Sequence, residues 1–113
     1  MSADRMRRVD EAMREVLSDA ITSGLKDPRV GFVTVTAVQT SPDLRHARVF
    51  VSVLGNPGER RRSLQALGSA RGYLQRRLGA ELHIKNTPAL EFVYDDTAER
   101  SQRINELLQE DSE

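Results

Sequence analysis

The sequence predicts a two-layer α+β domain, in which a three-stranded sheet carries helices on one face. Two observations predict it. Apolar and polar residues alternate along two adjacent stretches, as in strands, and apolar residues elsewhere recur at three- and four-residue steps, as in helices. The elements follow in the order α-β-β-α-α-β-α. At 113 residues the chain has room for one modest core, and we expect a single domain over 1–113.

The first three elements are a helix and a β-hairpin. The helix is predicted over about 3–23, with Gly24 as its stop. Residues 31–40 and 45–54 are rich in β-branched side chains, and turn residues separate them. The alternation predicts one buried face for the hairpin. The buried residues of its first strand are then Val33, Val35 and Ala37.

The next helical stretch contains two glycines. Pro57 can begin it, and residues 63–79 carry a stripe of leucines interrupted by Gly68 and Gly72. Each glycine costs a helix roughly 1 kcal/mol relative to alanine. One interpretation is a bend at which a missing Cβ lets a phosphate approach the freed backbone amides and the start of the following helix. The other is close packing of the glycines on the sheet or on the first helix.

The last two elements are a third strand over about 89–95 and an acidic C-terminal helix over about 97–113 with a frayed end. Residues 96–99 resemble an N-terminal capping arrangement. We expect Leu107 and Leu108 to pack onto the body of the domain. Aromatic residues at strand spacing are expected in the core or half-buried on the sheet: Phe32, Phe50, Phe92 and Tyr94.

The net charge of zero hides an asymmetry. Residues 1–94 carry a balance of +5, residues 95–113 a balance of −5, and residues 45–85 alone a balance of +7. Fifteen of the seventeen cations are arginine, whose planar fork suits phosphate. Clustered positive charge is the usual footprint of nucleic-acid binding, although a solvated arginine-rich surface gives the same composition.

Several classes of protein are not expected. The sequence has no apolar run near the roughly 20 residues of a membrane helix, no secretory signal and no cysteine. Neither His46 nor His83 lies in a metal-ligand spacing, and we find no nucleotide-binding loop or nucleophile elbow. As adjacent residues of a strand, Asp95 and Asp96 would point to opposite faces. We therefore expect a cytoplasmic protein without enzymatic activity, metal or cofactor.

Three segments carry a resemblance to a known family. The element order resembles the type II KH fold, but Ser69-Ala70-Arg71-Gly72 stands where a GXXG loop would lie. Together with the run over 27–55 and the run over 86–108, this kink resembles the ribosome-binding factor A family. The resemblance covers about residues 5–108. It implies a type II KH-like domain with a kinked helix pair.

The resemblance also implies a function. It implies an RNA-binding factor for maturation of the small (30S) ribosomal subunit, acting in rRNA processing and cold adaptation. Such a factor would bind immature subunits and 16S rRNA near its 5′-terminal helix, and leave when maturation is complete. Ribosomal proteins or an assembly GTPase would be further partners. Nothing in the sequence demands a dimer, so we expect a monomer.

The candidate RNA-binding residues combine the kink with nearby cations. They are Arg45, Arg60, Arg61, Arg62, Ala70, Arg71, Gly72, Arg76, Arg77 and Lys85. The arginine triplet is equally consistent with a solvated helix face, and we expect Tyr73 to be packed rather than to stack a base. With so few aromatic residues, phosphate contacts and RNA shape should dominate over base recognition. The alternative is a protein-interaction module, in which the acidic C-terminal helix docks a basic ribosomal protein or a GTPase.

Overall fold

Three strands form a mixed sheet in the order β1-β2-β3. They are β1 (Phe32–Thr40), β2 (His46–Leu54) and β3 (Ala89–Tyr94). β1 and β2 form the antiparallel hairpin predicted from their alternation, and β3 lies parallel to β2. The computed structural model describes residues 3–111, so the end of the predicted frayed tail lies outside the described residues.

Four α-helices accompany the sheet within residues 3–111. They are α1 (Ala3–Asp19), which continues into a π-helical turn (Ala20–Gly24), α2 (Pro57–Ser69), α3 (Arg71–Leu82) and α4 (Thr97–Asp111). The Asn56 side chain accepts a hydrogen bond from the Glu59 N–H at 2.8 Å and caps α2, and Pro57 is its first residue. No helix among the described residues is long and apolar enough to cross a membrane.

The core lies between the sheet and helices α1, α2 and α3, which pack on one face of it. Alternate residues of β2 point into it, from Ala47 to Val53. The leucines at three- and four-residue steps supply the helical side: Leu17, Leu67, Leu74 and Leu78 are fully buried. Each such side chain stabilises the fold by about 1.5–3 kcal/mol relative to an exposed one. The predicted two-layer α+β architecture is confirmed.

The predicted alternation of β1 is wrong after Val35. A β-bulge shifts the register between Val35 and Ala37, so Ala37 is exposed and Val38 takes the buried position. The extra residue is Thr36, whose hydroxyl donates a hydrogen bond to Asp95 Oδ2 at 2.7 Å. The bulge therefore ties the edge strand to the segment that enters α4.

Three apolar side chains expected to be covered are exposed instead. Phe32 is 79% exposed, and Leu107 and Leu108 on α4 are 59% and 61% exposed. Every residue from 101 to 109 is exposed, because α4 makes few contacts with the sheet and the other helices of the described range. The other aromatic residues of the strands are half-buried as expected: Phe50, Phe92 and Tyr94.

The start of α4 is held differently from the predicted capping arrangement. Asp95, one residue earlier than expected, accepts hydrogen bonds from the N–H and the hydroxyl of Thr97. Asp96 pairs with Arg100 at 3.0 Å. Glu99 accepts a hydrogen bond from Arg60 on α2 at 2.9 Å, so the acidic residue of the predicted cap joins α4 to the body.

Candidate nucleic-acid interface

The chain bends at Ala70, between α2 and α3. Ala70 has φ −87° and ψ 4°, outside the regular helix. Its N–H still donates to the carbonyl oxygens of Ala66 at 3.0 Å and Leu67 at 3.1 Å, and its carbonyl accepts from the Leu74 N–H at 3.0 Å. The kink is therefore present, and the amide of Ala70 itself is hydrogen-bonded rather than free.

The two glycines beside the bend face outward. A Cβ at Gly68 would meet only Arg71 Nη2, at 3.8 Å, and a Cβ at Gly72 would meet only Arg76 Nη1, at 3.6 Å. Neither glycine approaches the sheet or α1, so close packing does not explain them. We call Gly68, Arg71, Gly72 and Arg76 the kink surface. It is open helix backbone flanked by two guanidinium groups.

Most of the predicted cations point into solvent. Six of them are exposed and make no ion pair with any residue of the described range: Arg45, Arg61, Arg62, Arg71, Arg76 and Lys85. Arg61 and Arg62 lie in the first turns of α2, Arg71 and Arg76 on α3. Unpaired exposed cations keep their full charge available to an anionic partner.

Arg60 is partly buried and paired instead. Its guanidinium lies 3.9 Å from the centroid of the Tyr94 ring and pairs with Glu99 at 2.9 Å. Glu99 also accepts a hydrogen bond from the Tyr94 hydroxyl, and this hydrogen bond raises the pKa of Tyr94 above its ordinary value. The three side chains connect α2, β3 and α4, so Arg60 has a structural role that distinguishes it from its two neighbours.

Arg77 is also half-buried. It donates to the Tyr73 hydroxyl at 3.0 Å and pairs with Asp19 on α1 at 3.2 Å and Glu81 at 3.3 Å. The hydrogen bond to Tyr73, followed in importance by the one to Glu81, raises the pKa of Arg77 above its ordinary value. Tyr73 is therefore packed, as expected, and Arg77 joins α3 to α1 rather than extending the kink surface.

Arg45 and Lys85 lie at the other end of α3. They border a groove of about 560 Å³ between the β1–β2 turn and the loop that follows α3. The twelve residues of α3 separate this groove from the kink by about 18 Å, since a helix rises about 1.5 Å per residue. The ten predicted residues therefore do not form one continuous patch.

A groove beside the kink was not predicted. It has a volume of about 530 Å³, and the loop Leu25–Arg29 and the end of α2 line it. Ser63 holds the end of this loop, because its hydroxyl donates a hydrogen bond to the Arg29 carbonyl at 3.3 Å and accepts one from the Gly31 N–H at 3.2 Å. Sequence periodicity gave no signal for the groove, since its two walls lie far apart in the chain.

The fold and the site together define a class. The sheet order and the helix pair that crosses from β2 to the parallel β3 are those of a KH-like domain, in which the bend at Ala70 stands where a GXXG loop would lie. Within that class, the chain belongs to the family described as ribosome-binding factor A, whose family model matches residues 5–108. The resemblance drawn from the three sequence segments is thus confirmed.

Named relatives agree with this assignment. The chain is 45% identical to ribosome-binding factor A of Halothermothrix orenii over 96% of its length and 88% of the relative's. It is 46% identical to that of Anaeromyxobacter sp. strain Fw109-5, over 94% and 88% of the two chains.

Known structures of the family, one of them a fitted homology model, share the fold. The crystal structure of ribosome-binding factor A from Thermus thermophilus superposes with a TM-score of 0.70 at 27% identity, over 79% of this chain and 93% of that one. A homology model of the Thermus thermophilus factor, fitted into a cryo-EM map of a 30S complex, gives a TM-score of 0.63 at 29% identity, covering 76% and 90% of the two chains.

Proposed function

We propose that this protein is a ribosome-binding factor for maturation of the small (30S) subunit, and that it acts by binding 16S rRNA without catalysis. One observation carries the RNA contact: two outward glycines open the helix backbone at the bend, between guanidinium groups that have no partner among the described residues. Family membership supports the ribosomal setting. It does not favour the alternative of a protein-interaction module built on the acidic helix.

The kink surface suits a phosphodiester backbone. A phosphate approaching Gly68 or Gly72 meets no Cβ, and Arg71 and Arg76 can donate from either side. The bend also begins α3, and the start of a helix favours an anion. Arg61 and Arg62 extend the positive face along α2, while Arg60 and Arg77 hold the scaffold in place.

Binding of this kind favours one RNA conformation over its competitors. A ligand shifts an equilibrium by the difference in its affinity for the two states. The protein would bind immature subunits near the 5′-terminal helix of 16S rRNA and leave once that region has matured. It would matter most in the cold, when misfolded RNA rearranges slowly.

The same proposal covers the partners and the compartment. The protein acts in the cytoplasm as a monomer that needs no cofactor. On the immature subunit, ribosomal proteins or an assembly GTPase lie within its reach, and the exposed apolar side chains of α4 are available to them.

Co-sedimentation with small subunits tests the proposal. Immature and mature subunits are each centrifuged with the protein across a salt series. We expect preferential binding to immature subunits, with an affinity that falls steeply with salt because phosphate contacts release counterions. Binding to neither form, or binding that salt does not weaken, would contradict the proposal.

A further inference from the structure

The open face of the sheet carries a row of polar side chains across all three strands. Gln39 on β1 pairs in register with Arg48 on β2, which pairs in register with Glu91 on β3. Side chains at paired positions on one face lie about 5 Å apart. All three are exposed, and the guanidinium of Arg48 lies 3.7 Å from the Glu91 carboxylate. The row is on the opposite face from the helices and the kink surface.

This row lines a groove with the imidazole of His46. The groove has a volume of about 350 Å³, within the range of small-ligand sites. An amide, a guanidinium, a carboxylate and an imidazole line this groove. The first three are among the groups that recognise the edges of bases, and the imidazole adds two ring nitrogens that can form hydrogen bonds. Phe50 follows two residues after Arg48 on the same face and is half-buried. We call Gln39, His46, Arg48 and Glu91 the strand-end row.

The groove adjoins the one bordered by Arg45 and Lys85. The Arg45 carbonyl accepts the Ala89 N–H at 2.8 Å where the two grooves meet. Arg45 and Lys85 have no ion pair among the described residues, whereas Arg48 and Glu91 cancel each other's charge. A single-stranded nucleic acid crossing this edge would therefore meet cations that suit its phosphates first, and then recognition groups for its bases in which one positive and one negative charge are paired.

We propose that the strand-end row binds the base edges of a single-stranded RNA segment, at a site separate from the phosphate contacts of the kink surface. The proposal rests on the proposed function, because it assumes that RNA is the partner. It assigns different tasks to the kink surface and to the open face of the sheet. Phosphate contacts at the kink supply affinity and position, and base contacts at the strand-end row supply sequence preference.

The test uses three single-stranded RNA homopolymers of equal length: oligo(A), oligo(C) and oligo(U). Each has the same number of phosphates, so a difference in affinity reports on the bases. The wild-type protein should bind one of them about fivefold or more tighter than another, the lower range for a good base-edge contact. The double variant Gln39→Ala/His46→Ala should lose this preference. Neither substitution removes a lysine or an arginine, so the phosphate contacts and the dependence of affinity on salt should remain.

Two controls separate the sites. Gln65→Ala alters an exposed amide on α2 and should leave the preference intact. Arg71→Ala/Arg76→Ala at the kink surface should weaken all three homopolymers alike and flatten the salt dependence, while keeping the preference.

Equal wild-type affinity for the three homopolymers, no binding to any of them, or a preference that survives in Gln39→Ala/His46→Ala would overturn the inference. The proposed function itself stands or falls with the sedimentation of subunits, so the two failures can be told apart.

Discussion

The guanidinium of Arg60 lies 3.9 Å from the centroid of the Tyr94 ring and pairs with Glu99 at 2.9 Å. Two of the three arginines in one triplet face solvent, while the first joins α2 to β3 and α4. This relationship separates Arg60, which stabilises the fold, from Arg61 and Arg62, which are free to bind RNA. It makes the two groups testable apart.

Replacing Arg60 should affect stability rather than binding. Arg60→Ala removes the contact with Tyr94 and the pair with Glu99, and we expect the free energy of unfolding to fall by about 1–2 kcal/mol. Arg61→Ala, the matched control next to it, should change that free energy by less than about 0.5 kcal/mol. Urea unfolding measures both. A folded Arg60→Ala protein of unchanged stability that no longer binds subunits would contradict this assignment.

The end of the π-helical turn packs against Tyr73. A Cβ at Gly24 would collide with the Tyr73 hydroxyl, so Gly24→Ala should lower the free energy of unfolding by about 1–3 kcal/mol. Tyr73→Phe removes that oxygen and its hydrogen bond from Arg77, at a cost of about 1 kcal/mol. In the double variant Gly24→Ala/Tyr73→Phe the collision is relieved. The loss of unfolding free energy in this variant should therefore be smaller than the sum of the losses in the two single variants. If the loss in the double variant equals the sum of the two single losses, the π-helical turn does not pack against Tyr73.

Stability should depend on pH through Asp95. Hydrogen bonds from the hydroxyls of Thr97 and Thr36 and from the Thr97 N–H hold the pKa of this carboxyl below its ordinary value of 3.8. A carboxyl with a lowered folded pKa stabilises the fold above its unfolded pKa, and this contribution is lost as pH falls through the folded value. Thr36→Val removes one donor and should raise the pKa of Asp95, as followed by carboxyl NMR titration. An unchanged titration would mean that the bulge does not hold Asp95.

The apolar face of α4 should be dispensable for folding. Leu107→Ala/Leu108→Ala alters side chains that are 59% and 61% exposed, so the free energy of unfolding should stay within about 0.5 kcal/mol. Leu78→Ala, which opens a cavity in the core, should cost about 2–5 kcal/mol by comparison. A similar loss from both variants would show that α4 packs onto the body.

Local patterns predicted the elements well and their partners poorly. The strands begin and end within one residue of the expected positions, because period-two alternation is a local property of the chain. The residue at the bulge, Thr36, donates its hydrogen bond to Asp95, which lies 59 residues away in the chain. In the same way, Arg60 differs from Arg61 only through Tyr94 and Glu99, which no spacing within the triplet reveals.

The apolar spacing of α4 shows a second limit. Residues Ile104, Leu107 and Leu108 recur as on a packed helix face, yet all three are exposed. Periodicity identifies a face of a helix but not what that face meets. The kink surface shows the converse. The sequence shows where the two glycines lie along the helical stretch, but only the fold shows that they face solvent rather than the sheet or α1.

The most direct test of the central claim is the affinity of Gly72→Asp for immature small subunits. A Cβ at this position meets only the tip of Arg76, and an acidic residue in the first turn of α3 suits the helix dipole, so the variant should fold. The added bulk and negative charge should weaken subunit binding about tenfold or more, equivalent to about 1.4 kcal/mol. The affinity of Gly72→Ala should lie between those of the wild-type protein and Gly72→Asp. Ser101→Asp places the same charge on the exposed helix α4 and should bind as tightly as the wild-type protein. Full-strength binding by a folded Gly72→Asp protein would show that the kink is structural and that the RNA contact lies elsewhere.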